Sequence, residues 1–111
     1  METIAYKVLT REQLADLQRG GWRGSGVDRQ DGFIHLSAAG QLTETVDKHF
    51  AGGADLVVAA IDLAALGDAV RWEESRGGAL FPHIYGDLPP AALIAHAPLS
   101  RDAAGDVVRP D

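Results

Sequence analysis

The run "DLVVAAIDL" at 55–63 constrains this chain more than any other stretch. Asp55 precedes it, Asp62 interrupts it, and everything else in it is apolar. It is far short of the ~20 residues that span a bilayer. The Val-Val pair and Ile61 favour extended backbone over helix. A strand with no polar face is covered on both sides, so this one reads as the central strand of a sheet.

The other elements are legible around it. "IAYKVL" at 4–9 alternates, with Ile4, Tyr6 and Val8 on one side and Ala5, Lys7 and Leu9 on the other. Thr10 then opens a helix. Gln13 stands at capping-box spacing from it, and Leu9 and Leu14 are placed as a hydrophobic staple. Leu14 and Leu17 face inward, and Gly20 and Gly21 end the helix. "WRGSGVDRQDG" at 22–32 reads as a loop. "FIHL" at 33–36 reads as a short buried strand, after which Ser37 is placed to cap a second helix. In that helix Ala39, Leu42, Val46 and Phe50 share a face, and "AGG" at 51–53 closes it. "AALGD" at 64–68 is one helical turn. "VRWEE" at 70–74 alternates, with Val70 and Trp72 opposite Arg71 and Glu73. "SRGGALFPHIYGD" at 75–87 is a loop with a short extended segment after Pro82. "LPPAAL" at 88–93 is a turn, and "IAHAPL" at 94–99 is a last strand.

Strands outnumber the two main helices, and one strand–helix–strand alternation is convincing. The fold class is therefore α+β rather than doubly wound α/β. The 111 residues fit one domain over 1–100, followed by a polar tail, 101–111, expected to fray.

Composition removes several functions. There is no cysteine, which excludes disulfides, thiolate catalysis and sulfur-ligated zinc. A net charge of −6 repels phosphate backbones, so generic nucleic-acid binding is not expected. No apolar run suits a membrane span, and "METIAYKVLT" lacks the pattern of a signal peptide, so a cytoplasmic location is the expectation. Nothing in the sequence specifies an oligomeric state.

Two boxes carry ionisable side chains in apolar settings. In "RQDGFIHLSAAGQ" at 29–41, His35 lies between Ile34 and Leu36. If those two face the core, His35 faces the other way, toward solvent or a cleft. A buried neutral imidazole bonded to a carbonyl is the equal alternative. Ser37 falls on the His35 side and is either a neighbouring hydroxyl or simply a helix cap. In "GGALFPHIYGDLP" at 77–89, His83 and Tyr85 point one way and Ile84 the other. Tyr85 offers a flat ring with a hydroxyl, suited to stacking on a ligand. A packed edge segment with a satisfied histidine is the other reading. Glu73, with Arg71 on its side of the strand, can accept from a sugar hydroxyl or stabilise an oxocarbenium-like centre, or pair weakly on a solvated face. His35, His49, His83 and His96 lack metal-ligand spacing, so no metal is expected. There is no phosphate loop and no nucleophile elbow. "RGGWRGSG" at 19–26 follows a helix rather than opening one and reads as a surface loop.

Taken together, "DGFIHLS", Gln41, "LVVAAIDL", "VRWEES" and "FPHIYGDLP" resemble a bacterial family known as domain of unknown function 952. The resemblance runs from about Ile4 to about Leu99. That family looks like a remote, compact relative of the ADP-ribosyltransferase fold, which includes RNA 2′-phosphotransferases. The resemblance implies a split, bent, mainly antiparallel sheet with a cleft between its halves, taking NAD or an ADP-ribose-type nucleotide. It places Ser37 at the middle motif and Glu73 or His83 at the late one. Lys7 occupies the first-strand position where such proteins usually carry His or Arg. On this reading His35, Glu73 and His83 are catalytic, and Lys7, Ser37, Arg71 and Tyr85 bind ligand. The chain would act as a transferase or hydrolase on a small molecule. The alternatives are a non-catalytic binding module for a metabolite or protein, and a metal-independent hydrolase with His35 as general base.

Overall fold

The structure, a computed structural model, describes residues 2–111 apart from the side chain of Arg76. The apolar run forms β3 (Leu56–Asp62). It is the middle strand of an antiparallel sheet between β1 (Ile4–Thr10) and β6 (Leu93–Pro98). A second antiparallel sheet holds β5 (Leu80–Ile84) between β2 (Ile34–His35) and β4 (Val70–Glu74). Among the described residues three α-helices accompany them: α1 (Arg11–Gly20), α2 (Gly26–Asp31) and α3 (Leu42–His49). The α+β expectation holds.

The unbroken hydrophobicity of β3 has a simple cause: the strand feeds two cores. Val57, Ala59 and Ile61 join Ala5 and Leu9 of β1 against Leu14 and Leu17 of α1 and Ile34 and Ile84 of the second sheet. Val58 and Ala60 join Tyr6 and Val8 against Leu42 and Val46 of α3. Neither face meets water, so alternation is absent from the sequence.

The helix α1 starts as its capping box requires. Thr10 Oγ1 accepts from the Gln13 N–H at 3.1 Å, and Gln13 Oε1 accepts from the Thr10 N–H at 2.9 Å.

Several expectations need correction. The segment read as a loop at 22–32 contains α2, capped by Ser25, whose hydroxyl accepts from the Asp28 N–H. Ser37 caps nothing. Its hydroxyl meets Thr45 Oγ1 at 2.8 Å, and the Ala38 N–H is satisfied by Gln41 Oε1 instead. The strand expected after Pro82 begins at Leu80 and includes the proline. Pro82 is tolerated because its carbonyl still accepts from the Leu36 N–H at 3.0 Å, where β2 ends. The tail docks rather than frays. Val107 is buried in the second core, Arg101 donates to Asp47 at 2.7 Å, and the Tyr6 hydroxyl donates to Asp111 at 2.9 Å. Among the described residues, no helix is long and apolar enough to cross a membrane.

Candidate functional site

The two sheets meet at one rung and then part. Tyr6 and Ser37 exchange backbone hydrogen bonds at 2.8 and 2.9 Å. An antiparallel ladder would next pair Val8 with His35. There the strands separate, and side chains take over the vacated bonds. The His35 N–H donates to Asp28 Oδ1 at 3.1 Å, and the His35 carbonyl accepts from Lys7 Nζ at 2.8 Å. Val8 presents its own backbone groups toward the gap, because they point the same way as those of Tyr6. The gap opens into a cleft of about 870 Å³, within the usual range for small-molecule sites.

Asp28 is the hinge of this arrangement. It is 2% exposed and charged, a combination that demands partners. Its carboxylate accepts from the Ser25 N–H at 2.9 Å, from His35 Nδ1 at 2.6 Å and from Lys7 at 3.1 Å, besides the His35 N–H. Burial pushes the Asp28 carboxyl up. The Lys7 charge and the bonds from Ser25 and His35 together pull harder, and it sits below the usual carboxylate range. Lys7 is spent on this work: its ammonium reaches both Asp28 oxygens and the His35 carbonyl.

The histidines come together for a reason of register. His35 on β2 lies directly opposite His83 on β5. Leu36 donates to Pro82, so the backbone groups of His35 point away from β5 and the pair is of the non-hydrogen-bonded kind. Side chains approach most closely in such pairs. The ring centroids are 5.4 Å apart, and Phe33 covers both, at 4.7 Å from His35 and stacked at 4.2 Å on His83.

Their hydrogen bonding differs. His35 is held at both nitrogens, Nδ1 by Asp28 and Nε2 by Asp31 Oδ2 at 2.9 Å. Both contacts are hydrogen bonds when each nitrogen carries a proton. His83 is 4% exposed and gives Nδ1 to Glu73 Oε1 at 2.8 Å. That fixes the tautomer of the neutral ring and leaves Nε2 as its lone-pair nitrogen. The Tyr85 hydroxyl donates to the same Glu73 oxygen at 2.7 Å, and Arg71 lies 4.9 Å over the Tyr85 ring. The bonds from His83 and then Tyr85 hold the Glu73 carboxyl below its ordinary range, and the bond to Glu73 raises the Tyr85 phenol.

Lys7, His35, Ser37 and His83 thus line one cleft. Glu73, Arg71 and Tyr85 stand behind His83 rather than on the lining, and reach the cleft through its ring. Among the charged lining residues, Asp28, Asp31 and Lys48 escaped the sequence reading, and His49, weighed there only as a metal ligand, also lies on the lining. A signal for Asp28 existed. Ser25 stands three residues before it, the spacing of a capping box. Among the described residues, no group of three or more His, Asp or Glu side chains is placed to hold a metal ion.

No curated protein matches the chain. Solved structures do. The crystal structure of protein CC0527 from Caulobacter crescentus superimposes with a TM-score of 0.85 at 44% identity, covering 96% of this chain and 94% of that one. A crystal structure of a double mutant of CC0527 gives 0.85 at 42% identity over the same shares. The solution structure of CC0527 gives 0.79 at 44% identity, over 95% and 91%. The family described as protein of unknown function (DUF952) matches residues 8–96, which take in both histidine boxes and every strand except the first half of β1 and the last two residues of β6. With that span and those relatives, the chain belongs to the DUF952 family.

Proposed function

We propose that the cleft binds a small nucleotide, of the NAD or ADP-ribose type implied by the resemblance, and that its histidine pair moves protons during transfer or hydrolysis. One observation carries this reading. Two imidazoles with centroids 5.4 Å apart share a cleft, each fixed by a carboxylate. A structural histidine needs one partner; two carboxylate-held rings facing one space suit acid–base work. His83 Nε2 is the proton acceptor, oriented by Glu73, with Tyr85 holding Glu73 in turn. His35, oriented by Asp28 at Nδ1, is the complementary donor through Nε2 when a ligand displaces Asp31 from it. Phe50 and Phe81 on the lining supply apolar rings against which a planar ligand ring can pack.

The test is a thermal-shift and turnover series with NAD, ADP-ribose and AMP. A ligand present at about 100 times its Kd stabilises the fold by about 2.7 kcal/mol. His83→Ala should remove turnover while the protein stays folded, and His35→Ala should remove both turnover and the shift. Binding without product in any arm would reduce the site to a binding module. Turnover of simple phosphoesters with no nucleotide preference would make it a hydrolase. Neither a shift nor a product with the whole series refutes the proposal.

A further inference from the structure

The chain carries 16 acidic side chains against ten lysines and arginines, yet its cleft is formally neutral, with two lysines against two carboxylates and three histidines besides. Both of its lysines, Lys7 and Lys48, line the cleft, and so do three of its four histidines, His35, His49 and His83. Only two carboxylates, Asp28 and Asp31, are on the lining. The lining thus carries none of the chain's net charge of −6, and a negatively charged ligand meets less repulsion there than over the rest of the surface.

Hydrogen bonding shows which of these groups are available. Lys7 has three donors, and the Asp28 carboxylate and the His35 carbonyl take them. His35 is engaged at both nitrogens. His83 has given Nδ1 to Glu73. That leaves the last turn of α3. Among the described residues Lys48 meets only Glu44, at 3.3 Å in an exposed i,i+4 pair of the kind worth little. His49 makes no hydrogen bond or ion pair with any described residue. Thr45, one turn earlier on the same helix, adds a hydroxyl to the lining. The negative end of the α3 dipole works against an anion at this place, so the Lys48 charge has to outweigh it, and a compact phosphate group seated on the side chains is the fitting load.

We infer that Lys48 and His49 form an anion subsite that holds a phosphate group of the cleft's ligand. The inference rests on the cleft being a ligand site and names the chemistry at one end of it. It does not depend on turnover.

The experiment titrates the protein with inorganic pyrophosphate by calorimetry, and follows amide shifts by NMR. Adenosine, AMP and ADP run as further arms to separate free phosphate from a nucleotide's phosphate. Pyrophosphate should bind and move the amides of Thr45, Lys48 and His49. The exposed double substitution Lys48→Gln/His49→Gln should weaken it at least about tenfold. Lys48→Arg should bind as well as wild type. His83→Ala, which abolishes turnover under the proposed function, should still bind. ADP binding more tightly than pyrophosphate, with adenosine alone weak, would place the phosphate on a nucleotide. No binding of pyrophosphate, AMP or ADP, or affinity unchanged in the double variant, overturns the inference. Pyrophosphate binding without any nucleotide turnover would sink the catalytic proposal and leave this one standing.

Discussion

Removing Asp28 should cost more than removing any other polar side chain here, and the loss should depend on Lys7. The carboxylate is 2% exposed and satisfies two backbone N–H groups, one imidazole and one ammonium. Asp28→Ala strands the Lys7 charge, whose side chain is 11% exposed, with only the His35 carbonyl to bond. Breaking a buried pair from one side costs about 3–5 kcal/mol, a large share of the 5–15 kcal/mol that holds a typical domain. Lys7→Met is milder, about 1–3 kcal/mol, because Asp28 keeps its N–H donors. In the double variant no charge is stranded, so the two losses should overlap by about 2 kcal/mol. Urea unfolding with linear extrapolation measures all four proteins. Losses that add to within about 0.5 kcal/mol would refute the claim that these two side chains act as one unit. The pH dependence follows from the same pair. The Asp28 carboxyl is held below its usual range, so its contribution is present above the unfolded value near 3.9 and fades as pH falls through the lower folded value. Wild type should therefore lose this increment below about pH 4, and Asp28→Ala should have none to lose.

Two further outcomes probe the neighbourhood. Gly24 has φ +106°, and a Cβ there would lie 2.7 Å from the Asp28 Cβ. Gly24→Ala should cost more than about 2 kcal/mol in urea, whereas Gly26→Ala, with open space around it, should be neutral or slightly stabilising; equal effects would refute the close-approach argument. Tyr85→Phe should leave stability within about 0.5 kcal/mol but raise the Glu73 carboxyl midpoint toward the ordinary value, read by carboxyl-carbon NMR; an unmoved midpoint would show that the hydroxyl does not hold Glu73.

What the sequence made legible was local. The alternation of 4–9, the Thr10–Gln13 box and the inward spacing of Leu14 and Leu17 are all set within one turn or strand, and each is found. The inward placing of Ile34 and Leu36 correctly sent His35 to the opposite face. The approach of His35 to His83 depends on strands 48 residues apart pairing in one register, and no local signal carries that. Asp28 was missed for a related reason. Its spacing from Ser25 is a cap signal, but six residues rich in Gly and Asp carry too little helical periodicity to be distinguished from a loop. Ser37 misled because a serine before a helix fits a cap; a backbone bridge to Tyr6 and the Gln41 amide oxygen fill that role instead. The tail was expected to fray because its polar composition hides one anchor, Val107, and its side-chain bonds to Asp47, Tyr6 and Thr43.

The split between the sheets explains why site and fold are hard to separate on one wall of the cleft and easy on the other. At the Val8–His35 level a continuous sheet would have satisfied the His35 backbone with a strand. Here Asp28 and Lys7 do it, and the same Asp28 oxygen that takes the His35 N–H also takes His35 Nδ1. The backbone bond that lets the strands part and the side-chain bond that aims the imidazole are thus made by one atom. A change there cannot retune the ring without loosening the sheet. The α3 wall has no such constraint. Lys48 and His49 are exposed and bear no backbone load, and Tyr85 acts on His83 through Glu73 and through the Phe33 ring between them. The chemistry of the cleft can therefore change cheaply along α3 and behind β5, while the α2 wall is free to change only if Lys7 and Asp28 change together.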